Sequence, residues 1–205
     1  MYVVAITGAS GSIIGIRLAE YLLKLGKDVD IIISDAGWYN ICFEILDFSV
    51  ASLSDKTNRL SSIREVFQKI ASDADLSRLR EFSPKDWSAP CASGSATVDA
   101  VIVAPCSMKT LSAVANGYGD SLITRCADAA LKENRKTILV PRETPVSLIH
   151  LENMVKAKQA GADIVLPVPG FYTHPQTVDD VVNFIVGKIL NLLGIKHDLF
   201  PPWGG

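Results

Sequence analysis

Short apolar runs rich in β-branched residues alternate along the chain with segments whose apolar positions recur at helical spacing. Each run ends at Ser, Thr or Pro, as buried parallel strands do. The runs are residues 2–7, 29–34, 99–105, 136–141 and 162–167. The helical segments are residues 14–24, 147–159 and 178–193. This alternation predicts an α/β fold in which helices cover both faces of a parallel sheet, which makes a three-layer sandwich.

Residues 48–98 interrupt this alternation. Charged segments at 59–73 and 76–80 are interpreted as surface helix, and residues 83–96, SPKDWSAPCASGSA, as a long loop. Long loops in compact domains are often functional, so this loop is a candidate part of a site.

The polar residues that follow the predicted strands form the candidate site, because ligands of open parallel sheets bind beyond the carboxyl ends of the strands. They are residues 7–11, 34, 106–110, 142–144 and 169–172. Hydroxyls, glycine amides at a helix start and a few cations suit a monophosphate. The glycines at 8, 11 and 15 lack the G-x-G-x-x-G spacing through which a pyrophosphate approaches the backbone, so a mononucleotide such as FMN fits better than NAD.

Each piece also has a purely structural interpretation. The loop at 8–11 serves a tight turn and close helix packing, and Ser107 caps the following helix with Lys109 solvated in its first turn. Arg125 and Lys132 lie seven residues apart on one helix and project from the same face. That face is either a cationic stripe directed at a cleft or an ordinary solvated surface.

Composition limits the classes of protein that remain. A length of 205 residues, 48% hydrophobic content and a net charge of −2 predict one domain over residues 1–205 and argue against a broad nucleic-acid surface. The opening residues run into a strand without a basic region or cleavage site. No apolar run nears the roughly 20 residues of a membrane span, so we expect a cytoplasmic location without membrane contact.

The cysteines and acidic residues indicate neither a disulfide framework nor a metal site. The four cysteines are scattered without a C-x-x-C pair, and the chain has only three histidines. We therefore expect reduced cysteines that serve as small core residues. Asp179 and Asp180 follow a Pro and a Thr at a helix start, where carboxylates interact favourably with the helix dipole, so they are interpreted as a cap.

Taken together, the motifs resemble the UbiX-type flavin prenyltransferases, also described as small subunits of phenolic-acid decarboxylases. Seven segments, in order and over nearly the whole chain, carry the resemblance. They are ITGASGSIIGIRL (6–18), SDAGWYNICFE (34–44), DWSAPCASGSA (86–96), APCSMKTLSAVANG (104–117), LVPRETPVSLIHLENM (139–154), PGFYTHPQTVDD (169–180) and LLGIKHDLFPPWG (192–204). The resemblance implies a Rossmann-like fold of the flavodoxin/HFCD type. It also implies transfer of a dimethylallyl group from its monophosphate to N5 and C6 of reduced FMN, which gives prenylated FMN.

The resemblance assigns site residues by motif. The FMN-contacting positions are matched by Gly8, Ala9, Ser10, Ser34, Ser107, Met108, Lys109, Thr110 and Arg125. The positions around the allylic phosphate are matched by Lys132, Arg142, Glu143, Tyr172 and Lys188. Glu44 and Trp203 match positions that complete the active site in relatives.

Ionising an allylic phosphate requires groups that stabilise negative charge on the leaving oxygens and positive charge on the carbon chain. Lys132, Arg142 and Lys188 serve the first need without a metal ion. The family usually has Arg where this chain has Lys188, which keeps the charge but loses the bidentate fork. The second need is met by an aromatic face, from Trp87, Trp203 or the flavin itself.

Acid–base work is assigned to Glu143, and Tyr172 is expected to donate a hydrogen bond to the phosphate. Closing the fourth ring removes a proton from flavin C6, and either Glu143 or the released phosphate accepts it. The catalytic set implied by the resemblance also includes Lys132, Glu44 and Ser10.

Two other functions stay open from the sequence. Related flavoproteins with the same fold oxidatively decarboxylate cysteine derivatives, but they carry a Pro-Ala-Ser-Ala-Asn-Thr type segment where this chain has Pro-Cys-Ser-Met-Lys-Thr at 105–110. A non-catalytic FMN-carrying subunit of a decarboxylase is the other alternative. The sequence also leaves open whether the allyl donor is a monophosphate or a diphosphate.

The resemblance extends to assembly and partners. Relatives form homo-oligomers, commonly trimers assembled into dodecamers, in which neighbouring subunits complete the flavin site. The apolar stretch at 13–23 and the C-terminal FPPWGG point the same way, because they suggest more apolar surface than one small domain covers. A UbiD-type decarboxylase is the expected recipient of the product.

Overall fold

A computed structural model of the chain, which describes residues 1–46, 62–70 and 72–203, contains a six-stranded parallel sheet. The strands are β1 (Tyr2–Ile6), β2 (Val29–Ile33), β3 (Leu79–Phe82), β4 (Ala100–Cys106), β5 (Lys136–Pro141) and β6 (Asp163–Ile164). Their order across the sheet is β3-β2-β1-β4-β5-β6, and every neighbouring pair is parallel. This is the strand order of the Rossmann fold, so the predicted fold class is confirmed.

Seven α-helices lie on the two faces of the sheet in the described part of the chain. They are α1 (Ser12–Lys24), α2 (Asp35–Glu44), α3 (Ile63–Lys69), α4 (Met108–Ala115), α5 (Leu122–Lys132), α6 (Leu148–Gln159) and α7 (Val178–Leu192). Short 3₁₀ turns occur at Leu76–Arg78, Pro90–Ala92 and Phe171–Thr173. The three helices predicted from spacing are confirmed, and the strand predicted at 162–167 is reduced to two residues.

Two separate cores confirm the three layers. Alternate residues of β1 point to opposite faces, as the period of a strand requires: Val4 and Ile6 join one apolar cluster, whereas Val3 and Ala5 join the other. The first cluster is covered by α1, α2, α3 and α7, and the second by α4, α5 and α6.

The prediction of surface helix at 76–80 is wrong. Leu76–Arg78 is a 3₁₀ turn, and Leu79 begins the edge strand β3, which pairs in parallel with β2. Only Leu79 of this strand is buried, and the charged Arg80 and Glu81 are exposed, so the strand lacks the apolar run that marks the others. Of the helix predicted at 59–73, Ile63–Lys69 is confirmed, while residues 59–61 and 71 lie outside the described residues.

The expectation that all four cysteines are reduced is also wrong. Cys91 and Cys126 form a disulfide, with Cα atoms 5.2 Å apart. Their separation of 35 positions in the sequence conceals this proximity, since the Pro90–Ala92 turn packs against α5 only in the folded chain. Cys106 is fully buried at the end of β4, and this burial raises the pKa of its thiol.

Arg80 on the edge strand neutralises a buried carboxylate. Its Nε and Nη2 atoms donate to the two carboxylate oxygens of Asp30 at 2.8 and 2.9 Å, and the Asp30 side chain is only 1% exposed. Burial raises the pKa of Asp30, while the hydrogen bonds and charge of Arg80 oppose that shift. Removing the guanidinium would therefore take from a buried carboxylate both side-chain hydrogen bonds that it accepts from Arg80.

We expect Arg80→Met to lower the free energy of unfolding by about 3 kcal/mol at neutral pH. The pKa of Asp30 is raised in the folded chain, so the cost of ionising it is present above that pKa and is lost as the pH falls through it. The loss should accordingly shrink as the pH falls from neutral into the acidic range in urea titrations. Arg78→Met is the matched control, because Arg78 pairs with Asp28 at an exposed site, where a pair contributes at most about 1 kcal/mol. Equal losses for the two variants would contradict the prediction.

Among residues 1–46, 62–70 and 72–203, no helix combines the length and the apolar character that crossing a bilayer requires.

Candidate functional site

A cleft lies where the strand order reverses, between β1 and β4. The chain leaves β1 towards one face of the sheet and β4 towards the other, which opens a crevice at their carboxyl ends. The crevice holds a cavity of about 500 Å³, a size typical of small-molecule sites. Its lining residues are Thr7, Gly8, Ser34, Asp35, Ala36, Pro84, Lys85, Ser107, Lys109, Thr110, Ala113, Asp120, Ser121, Ile123 and Thr124.

Three helix N-termini converge on this cavity. Ser34 accepts a hydrogen bond from the backbone N–H of Gly37 in α2, and Ser107 accepts one from that of Thr110 in α4. Ser121 caps α5 in the same manner. Each helix start carries partial positive charge and unpaired backbone N–H groups, so their convergence favours an anionic group such as a phosphate.

Thr7 links the two strands on either side of the crevice. Its hydroxyl donates to the carbonyl of Pro105 at 2.8 Å and accepts from the backbone N–H of Ser107 at 2.7 Å. Thr7 is itself buried, so both bonds are sheltered from water. The start of α4 is thereby held at a defined position relative to the end of β1.

The glycines after β1 have packing roles, as their structural interpretation predicted. A Cβ on Gly8 would lie 2.5 Å from the Cβ of Ala36 in α2, and one on Gly15 would lie 2.1 Å from the carbonyl oxygen of Ala104. Gly11 has φ +99°, in the left-handed region that favours glycine. These positions therefore require glycine whether or not a ligand is bound.

Glu44 occupies the N-terminus of α1, where a dinucleotide fold would bind its pyrophosphate. Its Oε2 accepts from the backbone N–H groups of Gly11 and Ser12 at 3.0 and 2.9 Å. A pyrophosphate would have to displace this carboxylate or lie against its negative charge. The resemblance assigned Glu44 to the catalytic set, and the structure places it at the end of α2 as an exposed carboxylate bound to the start of α1.

Of the FMN contacts assigned by resemblance, Gly8, Ser34, Ser107, Lys109 and Thr110 line the cavity. The others do not. Ala9 is buried in the loop after β1, Ser10 is exposed beside it, and Met108 packs towards the second core. Arg125 donates to Asp128 at 2.8 Å and to the carbonyl of Ala92 at 2.9 Å.

The sequence analysis missed Lys85, Asp120 and Ser121 as lining residues. Lys85 follows β3, and that strand was not predicted, so its carboxyl end was not considered. Asp120 and Ser121 precede α5 and do not directly follow a strand, so the strand ends did not indicate them. The Ser-x-x-Thr pattern at 121–124, which forms a capping box, was the signal that could have revealed this helix start.

Arg142 and Glu143 lie at the end of β5, next to the loop that follows β1. The backbone N–H of Arg142 donates to the carbonyl of Cys106, and its Nε donates to the carbonyl of Ser10 at 3.2 Å. Glu143 is exposed, and its Oε1 accepts from the backbone N–H of Thr144 at 3.1 Å. The structure thus brings Ser10, Arg142 and Glu143 together on one side of the crevice.

Tyr172, Lys188 and Trp203 form a second group. The Tyr172 ring lies edge-on to Trp203, with centroids 5.0 Å apart, and edge-on to Phe184 at 5.8 Å. Lys188 Nζ lies 5.8 Å from the centroid of Phe184. A phenol, an ammonium group and an exposed indole therefore share one surface.

Lys132 and Trp87 are apart from both groups. Lys132 ends α5 and pairs with Glu133 at 3.2 Å, just before the amino end of β5. Arg142 follows the carboxyl end of β5, and the six residues of β5 span about 20 Å. Trp87 is exposed on the 83–96 loop, near Lys85 in sequence but outside the cavity lining. Within one chain, the fold therefore keeps Lys132 away from Arg142.

The sheet order and the convergent helix N-termini define the class: a nucleotide-binding α/β protein whose ligand carries a phosphate. A model of the Flavoprotein family matches residues 1–190. The chain belongs to this family and, within it, to the UbiX-type flavin prenyltransferases.

Three relatives illustrate the similarity. The flavin prenyltransferase UbiX of Methanocaldococcus jannaschii is 45% identical, and the match covers 98% of this chain and 97% of the relative. AnUbiX in complex with FMN and dimethylallyl pyrophosphate is 37% identical, with a TM-score of 0.83 over 100% of this chain and 97% of that one. A dodecameric FMN-dependent UbiX-like decarboxylase from Escherichia coli O157:H7 is 36% identical, with a TM-score of 0.81 over the whole of both chains.

Proposed function

We propose that this protein is a flavin prenyltransferase that joins a dimethylallyl group to N5 and C6 of reduced FMN, producing prenylated FMN. The observation that carries the proposal is the convergence of α2, α4 and α5 on the cavity at the switch point of the sheet. That arrangement fits a mononucleotide phosphate, and the structural relative AnUbiX binds FMN with dimethylallyl pyrophosphate. FMN supplies the nucleophilic ring atoms as a substrate.

The residues that hold FMN are those on the convergent helix starts. Ser34, Ser107 and Thr110 present hydroxyls at the cavity, and its lining carries two lysines, Lys85 and Lys109, together with Asp35 and Asp120. These groups recognise the phosphate and the polar chain of a mononucleotide. The cavity walls at Ala36, Ala113 and Ile123 are apolar.

The residues that act on the allyl donor lie beside the cavity. Arg142, anchored to Ser10, balances negative charge on the leaving phosphate, and Glu143 exchanges the proton. Tyr172 and Lys188 are assigned to the same phosphate, and Trp203 to the allylic carbon chain. Among the described residues, no group of three His, Cys, Asp or Glu side chains is arranged to hold a metal ion. Metal independence remains a prediction.

We further propose that the active form is a homo-oligomer in which a neighbouring subunit supplies Lys132. Lys132 lies near the amino ends of the strands and Arg142 at their carboxyl ends, so the phosphate-binding set is incomplete within one chain. Large apolar side chains at the start of α6 are exposed, including Leu148 at 70% and Ile149 at 67%. Such a surface is typical of an interface, and the Escherichia coli relative is a dodecamer. A trimer-based dodecamer is the assembly we propose.

The remaining proposals concern context. The chain forms one domain over residues 1–205, since strands from both halves share one sheet. A cytoplasmic location is proposed, and a UbiD-type decarboxylase is the proposed recipient of the product. Fractionation and co-purification test these two proposals.

The test of the proposed function is anaerobic incubation of purified protein with reduced FMN and dimethylallyl monophosphate, followed by the mass and absorbance of the flavin. We expect the flavin to gain one five-carbon unit. Parallel reactions with the diphosphate identify the donor. Bound but unchanged flavin would support the carrier alternative instead.

We expect the protein to bind FMN and to show no measurable binding of NAD in calorimetric titrations. Glu44 already occupies the N-terminus of α1, so the pyrophosphate of NAD would meet a carboxylate there. Glu44→Gln is the control variant, because it removes the charge and keeps the size of the side chain. Comparable affinities for FMN and NAD in the unaltered protein would contradict the prediction.

A further inference from the structure

The C-terminal residues 195–203, here called the strap, lie against α7 over a glycine. A Cβ on Gly187 would lie 2.5 Å from Cε1 of Phe200 and 2.7 Å from Cε1 of His197. Neither ring could keep its position if this residue carried a side chain, since real Cβ contacts are not this short. Gly187 is in the middle of a helix, where glycine is unfavourable. Glycine at this helix position therefore allows the strap to approach α7 closely.

The strap is joined to Trp203 by a continuous series of ring contacts. His197 packs on Phe200 with centroids 5.0 Å apart, and Phe200 packs on Phe184 at 4.9 Å. Phe184 contacts Tyr172, which in turn contacts Trp203. Phe200 therefore lies between His197 and the rings that lead to Trp203, and a shift of Phe200 would disturb its packing with both neighbours.

Gly170 provides a second close approach in the same series. A Cβ on Gly170 would lie 2.5 Å from Cζ of Phe184, so the segment before Tyr172 contacts that ring directly. Phe184 is thus enclosed between the strap and the segment that carries Tyr172, and Lys188 lies above its ring. Trp203 itself is 80% exposed, so burial does not hold it. Its position depends on the anchored strap and on Tyr172.

We propose that Gly187 is a positioning residue. Because it has no side chain, Phe200 and His197 can pack directly on α7 at this position, which is here called the seat. Packing at the seat holds the strap so that Trp203 contacts Tyr172 next to Lys188. The consequence for catalysis rests on the proposed function, through the roles of Tyr172, Lys188 and Trp203. Because none of these residues lines the FMN cavity, the seat affects the allyl donor and not the flavin.

The test is Gly187→Ala in the full chain, followed by hydrogen exchange of the 195–203 peptide with FMN bound. We expect exchange of this peptide to accelerate at least about tenfold, as for a segment that loses its packing contacts. The KM for dimethylallyl monophosphate should rise about tenfold while the Kd for FMN stays within about twofold. Phe200→Ala, which empties the seat without adding a side chain, should release the same peptide and tests the proposal if Gly187→Ala does not fold.

The Trp203→Ala variant distinguishes an effect of Gly187 that acts through Trp203 from a general disturbance of the structure. If Gly187 acts through Trp203, Gly187→Ala should raise the KM no further in a Trp203→Ala background. Additive KM effects, unchanged exchange of the strap, or an equal loss of FMN affinity would overturn the proposal. The exchange measurement does not depend on prenyl transfer, so a protein that lacks the proposed activity would still show whether the seat holds the strap.

Discussion

Replacing Glu143 with Gln is expected to slow prenyl transfer by at least about a hundredfold while the Kd for FMN is unchanged. Glu143 is exposed at the end of β5 beside Arg142, and it does not line the FMN cavity. A glutamine keeps the size of the side chain and an oxygen that accepts from the backbone N–H of Thr144. The substitution therefore removes proton exchange with little change in shape.

The measurement is an anaerobic single-turnover rate with reduced FMN and dimethylallyl monophosphate. Glu152→Gln is the matched control, because Glu152 is an exposed glutamate on the nearby helix α6. An unchanged rate in Glu143→Gln would remove this residue from the mechanism and leave the released phosphate as the proton acceptor.

Mixed oligomers of two inactive variants are expected to regain activity. Lys132→Ala and Glu143→Gln should each lose prenyl transfer, since one removes a phosphate-binding cation and the other the acid–base group. If a neighbour supplies Lys132, a mixed assembly contains sites in which both original residues are present. Random mixing at equal amounts would restore about one quarter of the sites.

The experiment is co-refolding or co-expression of the two variants, with the transfer rate normalised to bound FMN. Each variant mixed with itself is the control, and light scattering establishes that mixed assemblies form. A mixture no more active than its parents would show that Lys132 does not act across subunits, and it would remove the main support for a shared site.

Local sequence determined the central layers of this protein. The runs at 2–7, 29–34, 99–105 and 136–141 are apolar and β-branched, and each became a strand because burial on both faces of a parallel sheet demands this composition. Ser34 and Ser107 follow strands and begin helices, so their positions at the cavity follow from strand ends alone.

The tertiary structure decided what depends on contacts between distant residues. β3 is a strand because it pairs with β2 at the sheet edge, where one exposed side allows the charged Arg80 and Glu81. Glu44 reached the start of α1 across more than 30 residues, and that contact underlies the prediction that the glycine loop does not bind a dinucleotide. No local pattern encodes either pairing.

The division of the site is also a tertiary property. From the sequence, Lys132 and Arg142 are ten residues apart and match one phosphate-binding set. In the fold, the full length of β5 lies between them, because a helix that precedes a parallel strand ends near the amino end of that strand. The residue types and their order were thus determined locally, whereas the end of the sheet at which each residue lies was decided by chain topology.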